Sequence, residues 1–207
     1  YRPGYDLDAL MEETAAVVAY CGLGGPARRT PYYEAFERHA GVDLDDPDPA
    51  PLATAAAAID THIAGAGAPR ALLQDLVFSH RVAPRLGRSG PELLFDYPPE
   101  QAALAVLGSG TQPRARRFEL FVDGIELANG FEELRDAGEQ RRRFETDNAM
   151  RRELGQPERA PDERLLAALA HGLPPASGVA LGVDRLLMAL TGLADIAQTQ
   201  AFGLESL

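Results

Sequence analysis

The sequence has one cysteine, no tryptophan and no lysine among its 207 residues. With a single cysteine, Cys21, the chain cannot form an intramolecular disulfide framework, and its four scattered histidines do not complete a cysteine-rich zinc site. No apolar run approaches the roughly 18 residues that a transmembrane helix needs, and no signal peptide opens the chain. The sequence therefore predicts a cytoplasmic protein without a membrane segment.

Positive charge is also scarce. Twenty arginines stand against 31 aspartate and glutamate residues, which gives a net charge of −11. Such a surface repels polyanions on average, which counts against nucleic-acid binding as the main role. An apolar share of 45% with 25% charged residues excludes wholesale disorder. No low-complexity linker interrupts the chain, so we expect one domain over residues 1–207.

The first half of the chain has helical periodicity, with Asp6 as the first cap. The first predicted helix begins at Leu7 and ends near Gly22. The other predicted helices span 32–39, 52–63 and 71–79. The glycine-rich segment 22–25 follows no strand, which favours a turn over a phosphate-binding loop. The three histidines in this half have no mutual spacing that indicates a metal site; they are His39, His62 and His80.

The second half alternates between strands and helices. Asp123-Gly124 is a strong hairpin signal, and Asp136 caps a long helix that runs to about Leu154. The Arg141–Arg143 run is compatible with nucleic-acid binding, but the acids on the same helix favour a solvated, salt-bridged face. The strands are predicted at 93–97, 116–122, 125–128 and 177–183, and two further helices at 163–171 and 185–190, the last capped by Asp184. The pattern predicts an α+β fold, an antiparallel sheet with flanking helices.

Residues 178–185 (GVALGVDR) form the first candidate site. Glycines spaced along a strand let a flat ligand approach the backbone closely. Arg185, at the start of the next helix, would add a permanent cation suited to a polyphosphate. The alternative is a tightly packed strand–helix junction with a structural pair between Asp184 and Arg185.

Residues 124–134 (GIELANGFEEL) form the second candidate site. Glu126 and Glu133 are seven residues apart, and an odd separation places them on opposite faces of an unbroken strand. If both serve one site, the backbone changes phase between them, and we predict a β-bulge at Asn129-Gly130. Two carboxylates facing one pocket can hold Mg²⁺ or an ammonium group. The alternative is a hairpin with two exposed acids.

Together with residues 1–6 (YRPGYD), these segments resemble the class II aminoacyl-tRNA synthetases of the lysyl branch. Residues 178–185 resemble the third signature motif of that family, which binds ATP. Residues 126–134 resemble the preceding strand, which carries Mg²⁺ and amino-acid ligands. The resemblance implies the C-terminal part of the class II catalytic core.

Within that branch, residues 1–6, 101–105 (QAALA) and 177–185 (SGVALGVDR) are most similar to the short paralogues that modify translation elongation factor P. Lysyl-tRNA synthetases usually have glycine at the position of Ala180 and Ser-Pro-Leu-Ala near residues 102–105.

The resemblance implies a nucleotide site with Mg²⁺. Glu126 and Leu127 would line the ATP site, with Glu126 as a Mg²⁺ ligand. Gly182 would lie under the adenine or ribose. Arg185 would hold the terminal phosphates and act as the catalytic cation.

The resemblance also implies an amino-acid site. Tyr1 and Glu133 would contact a lysine-like substrate, with the Glu133 carboxylate meeting an amino group. Asn129 would help to form the pocket. Glu133 is also a candidate metal ligand together with Glu126.

The activity implied is that of an ATP-dependent ligase. It would activate lysine or (R)-β-lysine as an aminoacyl-adenylate and transfer it to a lysine of elongation factor P, and the parent protein would be a homodimer. Two alternatives stay open: a lysyl-tRNA synthetase catalytic domain that charges tRNA(Lys), and an inactive binding module. The first two signature motifs of the family precede the position of Tyr1, so we expect a partial catalytic domain that is inactive by itself.

Overall fold

The computed structural model describes residues 1–65 and 67–202, and its centre is a six-stranded sheet. Its strands are β1 (Arg2–Pro3), β2 (Arg28–Pro31), β3 (Glu92–Tyr97), β4 (Ala115–Val122), β5 (Ile125–Glu132) and β6 (Ala176–Leu181). Their spatial order is β1-β6-β5-β4-β3-β2. The last strand in the chain therefore lies between the first strand and the central hairpin.

All neighbouring strands in this order are antiparallel except β2 and β3, which are parallel. The predicted α+β fold with an antiparallel sheet is confirmed, and β2 is an edge strand that the sequence pattern missed. It is only four residues long and has no alternation of apolar side chains. Its buried Thr30 donates a hydrogen bond to the Glu92 carboxylate at 2.6 Å, a contact 62 residues away in the sequence.

The α-helices of the described residues are α1 (Leu7–Tyr20), α2 (Tyr32–Ala40), α3 (Ala50–Ala57), α4 (Arg70–Val77), α5 (Ala137–Glu153), α6 (Glu163–His171) and α7 (Val183–Thr191). The predicted caps at Asp6 and Asp136 are confirmed, since each carboxylate accepts hydrogen bonds from main-chain N–H groups of the first turn. No helix in the described ranges is long and apolar enough to cross a membrane.

Three predicted helices have different limits. The segment predicted at 52–63 is helical only to Ala57, and the one at 71–79 passes into a wider turn after Val77. The prediction that Asp184 caps the last helix is wrong. Gly182 is the capping residue, and the Asp184 carboxylate accepts a hydrogen bond from the Thr199 hydroxyl at 3.0 Å instead.

The two faces of the sheet carry separate apolar cores. Phe118 and Leu120 of β4 pack with Leu10 of α1 on one face. Phe121 of β4 and Leu94 of β3 pack on the other face, beneath the helices α2 to α4. These helices lie over the β3 side of the second face. The rest of that face carries the polar side chains described next.

Candidate active site

A β-bulge in the β4–β5 hairpin decides which side chains of β5 share a face. Phe121 pairs with Glu126, but the preceding residue of β4, Leu120, pairs with Ala128. Leu127 is therefore an extra residue in β5. An extra residue reverses the alternation of the side chains that follow it.

The bulge places Glu126 and Glu133 on the same face of the sheet. Glu126 is opposite Phe121, and Asn129 is opposite Glu119, which is two residues before Phe121 on β4. Glu133 follows Asn129 by an even number of residues, so its side chain points to the same side. The alternation of side chains therefore changes phase between Glu126 and Glu133, as expected.

The expected position of the bulge, at Asn129-Gly130, is wrong. Gly130 pairs with Phe118 in regular register, and a Cβ at Gly130 would lie 2.6 Å from the Phe118 Cζ atom. Glycine is needed here because the phenylalanine ring of the neighbouring strand lies directly over it.

A pocket of about 320 Å³ opens where the start of β5 and the end of β6 meet the start of α7. It contains five of the seven residues that the sequence marks as site residues. These are Glu126, Leu127, Asn129, Gly182 and Arg185. The hairpin and the strand–helix junction, two separate motifs in the sequence, therefore form a single pocket.

Arg185 holds the two motifs together. Its Nη1 donates a hydrogen bond to the main-chain carbonyl of Glu126 at 2.9 Å and lies 3.7 Å from the Glu126 carboxylate. Nearly half of the Arg185 side chain (49%) is exposed. The guanidinium is thus oriented by β5 and still accessible to an anion.

Leu127 and Gly182 contribute main chain to the pocket. The Leu127 side chain is buried in the core, and its carbonyl accepts a hydrogen bond from the Gly182 N–H at 2.8 Å. A Cβ at Gly182 would meet the aliphatic part of Arg185 at 3.5 Å or more, which is ordinary contact. The described structure alone therefore does not require glycine at position 182.

The Glu126 carboxyl is half-buried and close to a second acid. Burial raises the pKa of Glu126, and the negative charge of Glu119 raises it further, while Arg185 and Arg117 lower it. A cation bound between Glu119 and Glu126 would relieve this repulsion.

Glu119 is a residue that the sequence analysis missed. Its side chain is buried, pairs with the Arg117 guanidinium and accepts a hydrogen bond from the Asn129 amide at 3.3 Å. Arg117 lies over the Tyr97 ring, 4.4 Å from its centroid. An acid between Phe118 and Leu120 in a buried strand was the available signal, because such acids are rare without a partner.

Asn129 faces the site with an unused acceptor. Its Oδ1 atom is buried and has no hydrogen-bond partner within the described part of the chain. An unsatisfied buried acceptor is costly, so a donor from a ligand is a natural complement.

Tyr1 and Glu133 meet at the other end of the site. They lie on either side of Gly178 of β6, where a Cβ would be 2.5 Å from the Glu133 Oε1 atom and 2.8 Å from the Tyr1 ring. Burial raises the pKa of Glu133. A half-buried carboxylate beside an aromatic ring suits a primary ammonium group.

The donor set is compatible with Mg²⁺. Among residues 1–65 and 67–202, no group of three or more His, Cys, Asp or Glu side chains is arranged as a metal cage. Mg²⁺ is usually held by one or two carboxylates together with waters and substrate phosphates, and Glu119 with Glu126 would fit that pattern. Glu133 lies beyond the opposite end of β5, so its role as a second metal ligand stays a prediction.

The arginine run on α5 forms the salt-bridged face that its acids indicated. Arg141 pairs with Glu163, while Arg142 and Arg143 both pair with Glu139.

Comparisons with known proteins agree with this geometry. The family described as tRNA synthetases class II (D, K and N) matches residues 7–206. Proteins named elongation factor P--(R)-beta-lysine ligase from Salmonella paratyphi B, Salmonella heidelberg and Salmonella agona are each 42% identical to this chain over 206 residues. The alignment covers 99% of this chain and 63% of each relative. The resemblance inferred from residues 1–6 and 124–185 is confirmed: the chain belongs to the class II tRNA synthetase family.

Proposed function

We propose that this chain is part of the catalytic domain of an ATP-dependent ligase that activates lysine or (R)-β-lysine and transfers it to a lysine of elongation factor P. The chain spans 63% of the length of the curated relatives named above. The activity, substrates and partners of the whole protein therefore stand as proposals.

The observation that carries the proposal is the arrangement of charge along one face of β5 and β6. Arg185 with Glu126 and Glu119 lies at one end, and Glu133 with Tyr1 lies at the other. At about 3.3 Å per residue, the two ends of β5 are roughly 20 Å apart. That length accommodates a nucleotide and a lysine-like substrate end to end.

The charged residues of the site would bind different groups of the substrates. Arg185 would bind the terminal phosphates of ATP, and Glu119 and Glu126 would hold Mg²⁺, which neutralises phosphate charge when bound. Glu133 would bind the ammonium group of the amino-acid substrate. The carboxylate of the substrate would then be directed towards the nucleotide. The carboxylate oxygen then attacks the α-phosphorus, the bond to the bridging oxygen breaks, and pyrophosphate leaves.

The test is ATP–pyrophosphate exchange that depends on lysine or (R)-β-lysine, measured on the protein that carries this chain. Exchange with either amino acid supports the proposal, and its absence with both rejects it. Arg185→Ala should lower exchange about 100-fold or more, the scale of losing one preorganised charge donor. Arg164→Ala, which removes an exposed arginine from α6, serves as the matched control.

The acceptor is decided by a second measurement. The net charge of −11 disfavours a polyanionic acceptor, and the relatives' names point to a protein acceptor. Transfer of labelled amino acid to elongation factor P, and not to tRNA(Lys), is the expected result. Transfer to tRNA(Lys) alone would favour the lysyl-tRNA synthetase alternative. The homodimer and the inactivity of the isolated 207 residues stay predictions.

A further inference from the structure

A second and larger cavity, of about 650 Å³, lies on the same face of the sheet. It is on the β3 side of Glu119, whereas the Arg185 pocket is on the β5 and β6 side. Its walls come from α4, the segment after β3, strand β4 and helix α5. Glu119 and its partner Arg117 line this cavity, so it adjoins the proposed nucleotide site.

The charge of the cavity is negative. Five carboxylates line it but only two guanidiniums: Asp75, Glu100, Glu119, Glu139 and Asp147 against Arg117 and Arg143. Both arginines are already paired, Arg117 with Glu119 and Arg143 with Glu139. Within the described ranges, the other three acids have no ion pair within 4.0 Å, which leaves excess negative charge.

Buried polar atoms on the cavity wall lack partners. Gln140 is 2% exposed, and its Oε1 atom makes no hydrogen bond to the described residues. The Arg117 Nε atom is also unpartnered, but its guanidinium is neutralised by Glu119. Buried acceptors without donors are rare in folded proteins, so a donor-bearing ligand is the expected complement.

Asp75 adds an oriented carboxylate to this wall. It accepts a hydrogen bond from the Gln101 amide at 2.8 Å, and burial raises the pKa of its carboxyl, opposed by the Arg117 charge. Phe78 and Phe144 supply apolar surface to the same cavity. Apolar walls with acceptors and free acids match an aliphatic chain that ends in an ammonium group.

We propose that this cavity binds the side chain of the acyl acceptor, a lysine of a protein, with its ammonium directed to Asp75 and the free acceptor atom of Gln140. The inference rests on the proposed function, since it assigns the amine that receives the activated acyl group. It places acceptor and nucleotide on opposite sides of Glu119. The activated amino acid and the acceptor would then reach their meeting point from different directions.

Binding is tested by NMR titration with Nα-acetyl-lysine methylamide. The matched probe is Nα-acetyl-norleucine methylamide, whose side chain has the same four carbon atoms and lacks the ammonium group. The lysine probe should shift the NMR signals of the Gln140 side-chain amide at millimolar concentration. The norleucine probe should bind at least about tenfold more weakly. Equal binding of the two probes would mean an unselective apolar cavity and would overturn the proposal.

Two conservative variants locate the ammonium. Asp75→Asn keeps an acceptor for Gln101, and Gln140→Leu removes an atom that has no partner among the described residues, so neither should unfold the protein. Each should weaken the lysine probe at least about fivefold. Glu145→Gln removes an equal charge from the exposed side of α5, outside the cavity, and should leave binding unchanged. Equal affinity in all three variants would reject the assignment.

Kinetics separate this proposal from the proposed function. Asp75→Asn should raise the KM for the acceptor and leave lysine-dependent ATP–pyrophosphate exchange unchanged. A loss of exchange in Asp75→Asn would place the cavity in the activation site and overturn the inference. Absence of exchange in the wild type rejects the ligase, whereas exchange without probe binding rejects only the acceptor cavity.

Discussion

The Glu133 carboxylate occupies the space above Gly178 that a side chain there would need. A Cβ at Gly178 would lie 2.5 Å from the Glu133 Oε1 atom and 2.8 Å from the Tyr1 ring. Gly178 of β6 pairs with Phe131 of β5, so these two strands are in regular register at this point. The glycine therefore lets an acid and an aromatic ring approach one another across the sheet.

Gly178→Ala should raise the KM for lysine at least about tenfold, because the methyl group displaces Glu133 or Tyr1 from its place in the proposed amino-acid site. The KM for ATP should change much less. The measurement is steady-state exchange with each substrate varied in turn. Gly24→Ala is the matched control, since a Cβ there meets no atom within 4 Å. Equal changes in both KM values would contradict the prediction.

Glu133→Gln should weaken lysine use far more than ATP use, because the amide cannot neutralise an ammonium group. In the wild type, the KM for lysine should rise as the pH falls through the raised pKa of Glu133. The rise should begin at higher pH than the ordinary glutamate pKa of about 4.3 predicts. The variant should lose this pH dependence, and an unchanged pH profile would reject the role of Glu133.

Glu126→Gln should raise the Tm of the ligand-free protein at neutral pH. Burial and the charge of Glu119 raise the pKa of Glu126, so its ionisation disfavours the folded state. The stability that the protonated Glu126 carboxyl contributes is fully present below the ordinary carboxyl pKa. It is lost as the pH rises through the raised pKa of Glu126 in the folded protein. Thermal unfolding should therefore show a gain at pH 7 that shrinks near pH 4. A gain independent of pH would point to another cause.

Gly130→Ala should destabilise the protein by about 1–3 kcal/mol, the usual cost of overpacking, because the new methyl group meets the Phe118 ring. Urea unfolding measures the loss. Phe118→Leu in the same chain provides room for the methyl group, so the double variant should lose less than the sum of the two single variants. Additive losses would exclude this contact as the cause.

Several turns and helix caps of this protein were predictable from its sequence, although the cap predicted at Asp184 is wrong. Asp123 and Gly124 both adopt positive φ, as their type of hairpin turn requires, and Asp6 and Asp136 cap their helices. Turns and caps depend on residues a few positions apart. The glycine-spaced segment before Arg185 and the pair Glu126 and Glu133 carried the family resemblance for the same reason.

The tertiary structure decided which side chains meet. The bulge at Leu127 and the buried Glu119 beside Glu126 depend on the register of the β4–β5 hairpin. The contact between Gly178 and Glu133 depends on the pairing of β5 with β6, which is far away in the sequence. A shift of one residue moves every side chain of a strand to the other face. Sequence spacing indicated that a change of phase was needed, but only packing against β4, with Phe118 lying over Gly130, set where it occurs.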